Sequence, residues 1–189
     1  MKTHHLISLF CMRSLLIMAL FFISTSVFAQ QKGEMSVGLN LNYGTNSTLS
    51  NFGLGAKFQW TIINNLRLEP SFNYYFGKNF DFVKYNMWDA GINAHYLFSV
   101  GSEKRFVLYP LAGIGLLGMS VDYKGEFEKI YDQEVYGKGS YSSSEFAFNI
   151  GGGAEYLLTD KISIGAEIKY QIVSGWNRPV FTLGATYKF

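Results

Sequence analysis

Cysteine is nearly absent from this chain. There is one, Cys11, in 189 residues, so no disulfide framework holds the fold together. Cys11 also lies in a segment expected to be removed, which leaves no thiol nucleophile and no thiolate metal site. An excess of charge is missing as well. The 16 basic residues come level with the 14 acidic ones once Lys2 and Arg13 leave with the front end, so nothing electrostatic points to nucleic acid. Finally, no apolar run after Ala29 is long enough for a membrane-spanning helix, which needs about 20 residues.

The front end looks like an export signal. Lys2 and Arg13 carry positive charge, Leu15 to Ile23 (LLIMALFFI) form a short apolar core, and Val27-Phe28-Ala29 fits the cleavage-reading positions. Cleavage is expected after Ala29, giving a signal peptide over 1–29 and one domain over 30–189. An uncleaved anchor is disfavoured, because Arg13 interrupts any longer apolar run.

What the rest has in abundance is alternation. Eight segments set apolar residues against small or polar ones with a period of two, the pattern of half-buried strands. They run over Glu34–Tyr43, Phe52–Ile62, Leu66–Phe76, Met87–Phe98, Arg105–Leu117, Glu145–Leu157, Lys161–Ile172 and Phe181–Phe189. The fifth is apolar on both faces, which leaves its register open. Short connections follow the second, fourth and sixth segments, and long ones follow the odd segments, the longest being Ser120–Ser144. Short turns at one end and long loops at the other is the wiring of an up-and-down transmembrane barrel with both termini in the periplasm.

The weaker face separates a lipid-facing barrel from a soluble one. A soluble barrel wets its outer face and fills it with Lys, Glu and Asp. Here that face is mostly Gly, Ser, Asn and Thr, with a few charges of both signs: Lys57, Arg67, Glu69, Glu155, Glu167, Lys169 and Lys188. Acids and bases neutralising each other in a narrow lumen account for this set, with Arg67 beside Glu69 and Lys169 beside Glu167 on shared faces. The apolar face carries aromatics toward both strand ends, as two membrane interfaces select. An open edge in lipid would strand backbone polar groups, so the strands must close. The expectation is an all-β fold, a closed eight-stranded antiparallel up-and-down transmembrane β-barrel. Pro70 and Pro110 fall inside strands, and bulges or the interface are expected to accommodate them.

From Glu34 to Phe189 the chain resembles the small outer-membrane β-barrel proteins, which include the transmembrane domain of outer-membrane protein A and outer-membrane protein X. The most specific match is the final strand, with Leu183, Ala185, Tyr187 and a terminal Phe189. This resembles the C-terminal signal that the outer-membrane assembly machinery reads. The resemblance implies residence in the bacterial outer membrane, with the membrane lipids and that machinery as partners. It implies no single activity.

Three motifs compete with blander explanations. Gly113–Gly118 (GIGLLG) has dinucleotide-loop spacing, but no helical periodicity follows it, and glycines on a crowded wall explain it better. His95 has no partner spaced like a catalytic set, so a hydrogen-bonded lumen histidine outweighs a general base in a lipid-acting enzyme. The long loop holds Tyr123, Phe127, Tyr131, Tyr136 and Tyr141 among acidic residues. It suits a contact surface, or an extended hairpin with tyrosines paired across it. The reading is a monomeric, cofactor-free membrane anchor presenting loops to an extracellular partner. A narrow solute channel, a lipid-acting enzyme and a soluble ligand-binding barrel stand as alternatives.

Overall fold

The computed structural model describes residues 32–45, 50–77, 79–80, 83–123 and 140–189. The expected signal segment and Ala29 lie outside the described residues, as do Phe127, Tyr131 and Tyr136. The strands are β1 (Met35–Thr45), β2 (Ser50–Ile63), β3 (Leu66–Tyr75), β4 (Asn79–Phe80) and β5 (Val83–Tyr96). Then come β6 (Phe98–Val100), β7 (Phe106–Tyr123), β8 (Ser140–Leu157), β9 (Ile162–Val173) and β10 (Arg178–Lys188). They form one sheet in the order β4-β5-β3-β2-β1-β10-β9-β8-β7-β6, and an additional β5–β7 pairing closes it. The ring has eight members, because β6 continues β5 beyond Leu97 and β4 is a two-residue pairing on β5.

Every neighbouring pair in the ring is antiparallel. The first and last strands meet along a seam from Ser36↔Lys188 to Gly44↔Val180. That seam removes the open edges that a bilayer does not tolerate. Alternation then puts one set of side chains outside and the other inside. Leu39 and Leu183 are 72% and 63% exposed on the outer wall, whereas Lys57, Arg67 and Glu69 are buried in the lumen.

The doubly apolar strand has a clear physical reason. In β7, Phe106, Pro110, Ala112, Ile114 and Leu116 face out, and Val107, Tyr109 and Leu111 face in. The inward three pack with Leu97 and Leu157 as an apolar layer at the periplasmic end. Tyr75, Met87, Leu117, Ala147 and Val173 make a matching layer toward the long-loop end, with Met119 and Trp176 against it. Apolar inward residues on one strand were therefore core, and no longer period was hidden there.

The prolines sit where the ladder lapses, and neither sits at a register shift. Between Lys57↔Ser71 and Trp60↔Leu68 the β2–β3 pairing skips the residues facing Glu69 and Pro70. Between His95↔Leu111 and Phe98↔Leu108 the wall skips the residues facing Tyr109 and Pro110. Each proline lacks the N–H that a continuous ladder uses. The one β2–β3 irregularity lies elsewhere, between Thr61 and Ile63.

Strands also run further outward than the apolar pattern does. β7 and β8 stay paired up to Asp122↔Ser140, so Tyr123 and Tyr141 belong to strands, and Tyr141 pairs with Val121. Arg178 begins β10 and is not part of a loop. Gly113 to Gly118 lie within β7, where no helix follows, so the dinucleotide-loop spacing is incidental. Gly118 faces out and its register partner Trp88 lies over it, so an aromatic ring covers the gap that a missing side chain leaves.

Candidate functional site

The lumen is where the fold gathers most of its buried charge among the described residues. Period-two alternation delivers one side chain per two residues to it, and closure brings distant strands into contact. Two polar tiers lie in it, each in contact with one of the apolar layers.

In the inner tier, Arg67 Nη1 on β3 bonds Glu155 Oε2 on β8 at 2.7 Å, and both are buried. Lys57 Nζ lies 3.2 Å from Glu69 Oε2. Gln59 links the pairs, donating from Nε2 to Glu69 Oε2 at 2.8 Å and accepting from Arg67 Nη1 at 3.3 Å. Tyr109 stacks on His95 with centroids 4.6 Å apart and donates its hydroxyl to Glu167 Oε2 at 3.2 Å. Gly153 makes room for that tyrosine, since a Cβ there would stand 2.6 Å from its hydroxyl.

In the outer tier, Asp89 accepts from Asn73 at 2.6 Å, from Tyr75 at 2.7 Å and from Arg178 Nη2 at 3.1 Å. Arg178 also donates from Nε to Gln171 at 2.7 Å and lies over the Tyr75 ring at 4.3 Å. Asn42 joins Thr182 to Asn73, so the tier reaches across the β1–β10 seam.

Six of the seven charges expected in the lumen are buried there: Lys57, Arg67, Glu69, Glu155, Glu167 and Lys169. Lys188 is not. It lies at the periplasmic rim, 37% exposed, with Glu34 at 3.4 Å. The pairing also differs from the expectation, because partners come from facing strands and not from two residues along one strand. Arg67 meets Glu155 and not Glu69, and Lys169 has no carboxylate within ion-pair distance among the described residues. Asp89 and Arg178 escaped the sequence reading of the network. A carboxylate on the inward face of a strand implies a cation near it, and for Asp89 that cation is Arg178.

His95 is fully buried, in contact with Arg67, Glu69 and the Tyr109 ring. Arg67 Nη2 stands 3.1 Å from Nδ1. A guanidinium only donates, so Nδ1 accepts and the ring proton sits on Nε2. Nε2 lies 3.9 Å from Glu69 Oε1 and finds no hydrogen-bond partner. Glu69, His95 and Glu167 offer ligand atoms within 4.8 Å of one another. The donor set does not fit a metal ion, because the nitrogen facing the gap carries a proton and Lys57 already holds Glu69.

A closed sheet with an apolar outer wall and a neutralised lumen defines a small transmembrane β-barrel. A family model for the outer membrane protein beta-barrel domain matches residues 15–189, so the chain belongs to that family, and its place is the bacterial outer membrane. Neisserial surface protein A is 18% identical with a TM-score of 0.62, over 82% of this chain and 96% of that one. Ail, the attachment invasion locus protein of Yersinia pestis, is 18% identical with a TM-score of 0.58, over 84% of this chain and all of its own. The N-terminal β-barrel domain of Pseudomonas aeruginosa OprF is 19% identical with a TM-score of 0.52, over 85% of this chain and 100% of that one. No curated protein sequence matches the chain.

Proposed function

We propose that this barrel is a monomeric membrane anchor whose outer β7–β8 hairpin contacts an extracellular partner. One observation carries the reading. β9 stops at Val173, which pairs with Ala147, while β8 begins at Ser140. Residues 140–146 therefore have β7 on one side and no strand on the other among the described residues. The aromatic wall ends near Trp88 and Phe146, and Ser142 and Ser144 beyond it are exposed, so this edge stands in water. A bare strand edge presents main-chain donors and acceptors to an extended peptide. Ail is by its name an attachment protein, and it shares this architecture.

The lumen supports an anchor over a channel. Apolar clusters and buried charges together fill much of the lumen. The enzyme alternative draws no support from His95, whose Nδ1 is held by Arg67 inside the wall. The test pairs a measurement on the refolded protein with one on cells. The barrel should carry no stepwise current in a planar bilayer, and replacing residues 120–146, which include the bare edge, by a short Gly-Ser turn should abolish adhesion of cells that display it. Steady currents that change on Glu69→Lys, with adhesion unaltered, transfer the assignment to a narrow channel.

A further inference from the structure

We propose that the periplasmic mouth of the barrel binds a phosphate group. A cleft of about 40 Å³ opens there, between the start of β1, the ends of β2 and β10, and the β8–β9 turn. This volume exceeds what one water requires. Arg67, Lys161, Ser163, Thr186 and Lys188 bring donors to it from four separate elements.

Arg67 forms the floor, and its hydrogen bonding is incomplete. Nη1 is taken by Glu155 and Gln59, and Nη2 by His95. Nε is buried with no partner, although the residue is only 1% exposed and lines the cleft. A charged N–H removed from bulk water needs an acceptor, and an anionic oxygen is the strongest one. Ser163 Oγ and Thr186 Oγ1 bond each other at 2.5 Å. One shared hydrogen bond uses one of the two hydroxyl protons and leaves the other for a third atom.

Charge follows the same direction. Glu34 and Asp160 line the cleft beside three cations, and Glu34 is already spent on Lys188 at 3.4 Å. Lys161 has no carboxylate within ion-pair distance among the described residues and is exposed. A guanidinium edge, a hydroxyl and an ammonium lining one cleft from separate elements suit the separate oxygens of a tetrahedral anion. Met35 and Ile162 form part of the rim, and both face the lipid. The phosphate can therefore come from the headgroup of an inner-leaflet phospholipid or from free phosphate in the periplasm.

Amide chemical shifts of the refolded full barrel distinguish these cases. In a phosphate-free detergent, inorganic phosphate should shift Lys161, Ser163 and Thr186 in a saturable way that chloride does not reproduce. Lys161→Gln and Thr186→Val, both outside the ion-pair network, should each weaken that response about tenfold, the scale of one hydrogen bond to a charged group. If free phosphate has no effect but nanodisc phospholipid phosphorus gives cross-peaks to the same residues, the site holds and its ligand is the lipid. Equal shifts with chloride indicate an adventitious ion only, and overturn the proposal. So does a phosphate response that survives both substitutions, or the absence of any response to phosphate in either form.

Discussion

Arg67 on β3 and Glu155 on β8 are 88 residues apart in sequence and 2.7 Å apart in the lumen. Both are buried, so each charge depends on the other. Removing one partner of a buried pair strands the other, which costs about 3–5 kcal/mol. Replacing both with apolar residues of similar volume costs far less.

Glu155→Gln should therefore lower the unfolding free energy in lipid vesicles by about 3–5 kcal/mol, read from urea midpoints of folding and unfolding. The double variant Arg67→Met with Glu155→Met should recover most of that loss. Equal destabilisation of single and double variants would show that the network acts through packing alone.

Lys169 should behave differently. It is buried, and no carboxylate lies within ion-pair distance of it among the described residues. Its burial is not balanced by a direct contact, so Lys169→Met should change stability by about 1 kcal/mol or less. A loss as large as that of Glu155→Gln would mean that Asp89 and Glu167, the acids it acts on through space, depend on it as strongly as on a contact partner.

Why some of this was legible beforehand and some was not has a physical answer. The bilayer dictates one face of every strand, so Leu39, Ile168 and Leu183 announced their orientation. Nothing outside the bilayer imposes alternation, so the outer ends of β7, β8 and β10 were unreadable, and Arg178 was lost in an apparent loop. The lumen charges were identifiable as a set, because few charges can lie inside a barrel without neutralising each other. Their partners were not, since Arg67 reaches Glu155 only through closure of the whole ring. Val107, Tyr109 and Leu111 blurred the fifth strand because the lumen has an apolar layer of its own.

Gly118 offers a test of the outer wall. Trp88 lies over it across the β5–β7 pair, at the edge of the long-loop interface. A side chain at 118 must displace that indole toward headgroups and water. Gly118→Val should cost about 1–3 kcal/mol from overpacking and shift tryptophan emission to longer wavelength. Trp88→Phe in the same background should remove most of the spectral change. An unchanged spectrum in Gly118→Val would place the indole away from the glycine.

Phe189 offers a test that separates a structural residue from one that another protein reads. Phe189 donates its amide to Met35 at 3.2 Å, and its side chain is 65% exposed to lipid, so it contributes little to the folded barrel. The strand before it does contribute, with Leu183, Ala185 and Tyr187 paired across the seam to Leu41, Leu39 and Val37. If the assembly machinery reads the end of the chain, Phe189→Ser should cut the amount of barrel reaching the outer membrane of living cells several-fold. Refolding of the same variant into detergent should give a barrel within about 1 kcal/mol of the original, because one lipid-facing ring is lost and no lumen contact changes. Boiled and unboiled samples on a denaturing gel report whether the variant refolds, since a closed barrel migrates differently until heat opens it, and urea midpoints report its stability. Parallel losses in cells and in detergent would make Phe189 a structural residue. A loss confined to cells makes it the part of the sequence that another protein reads.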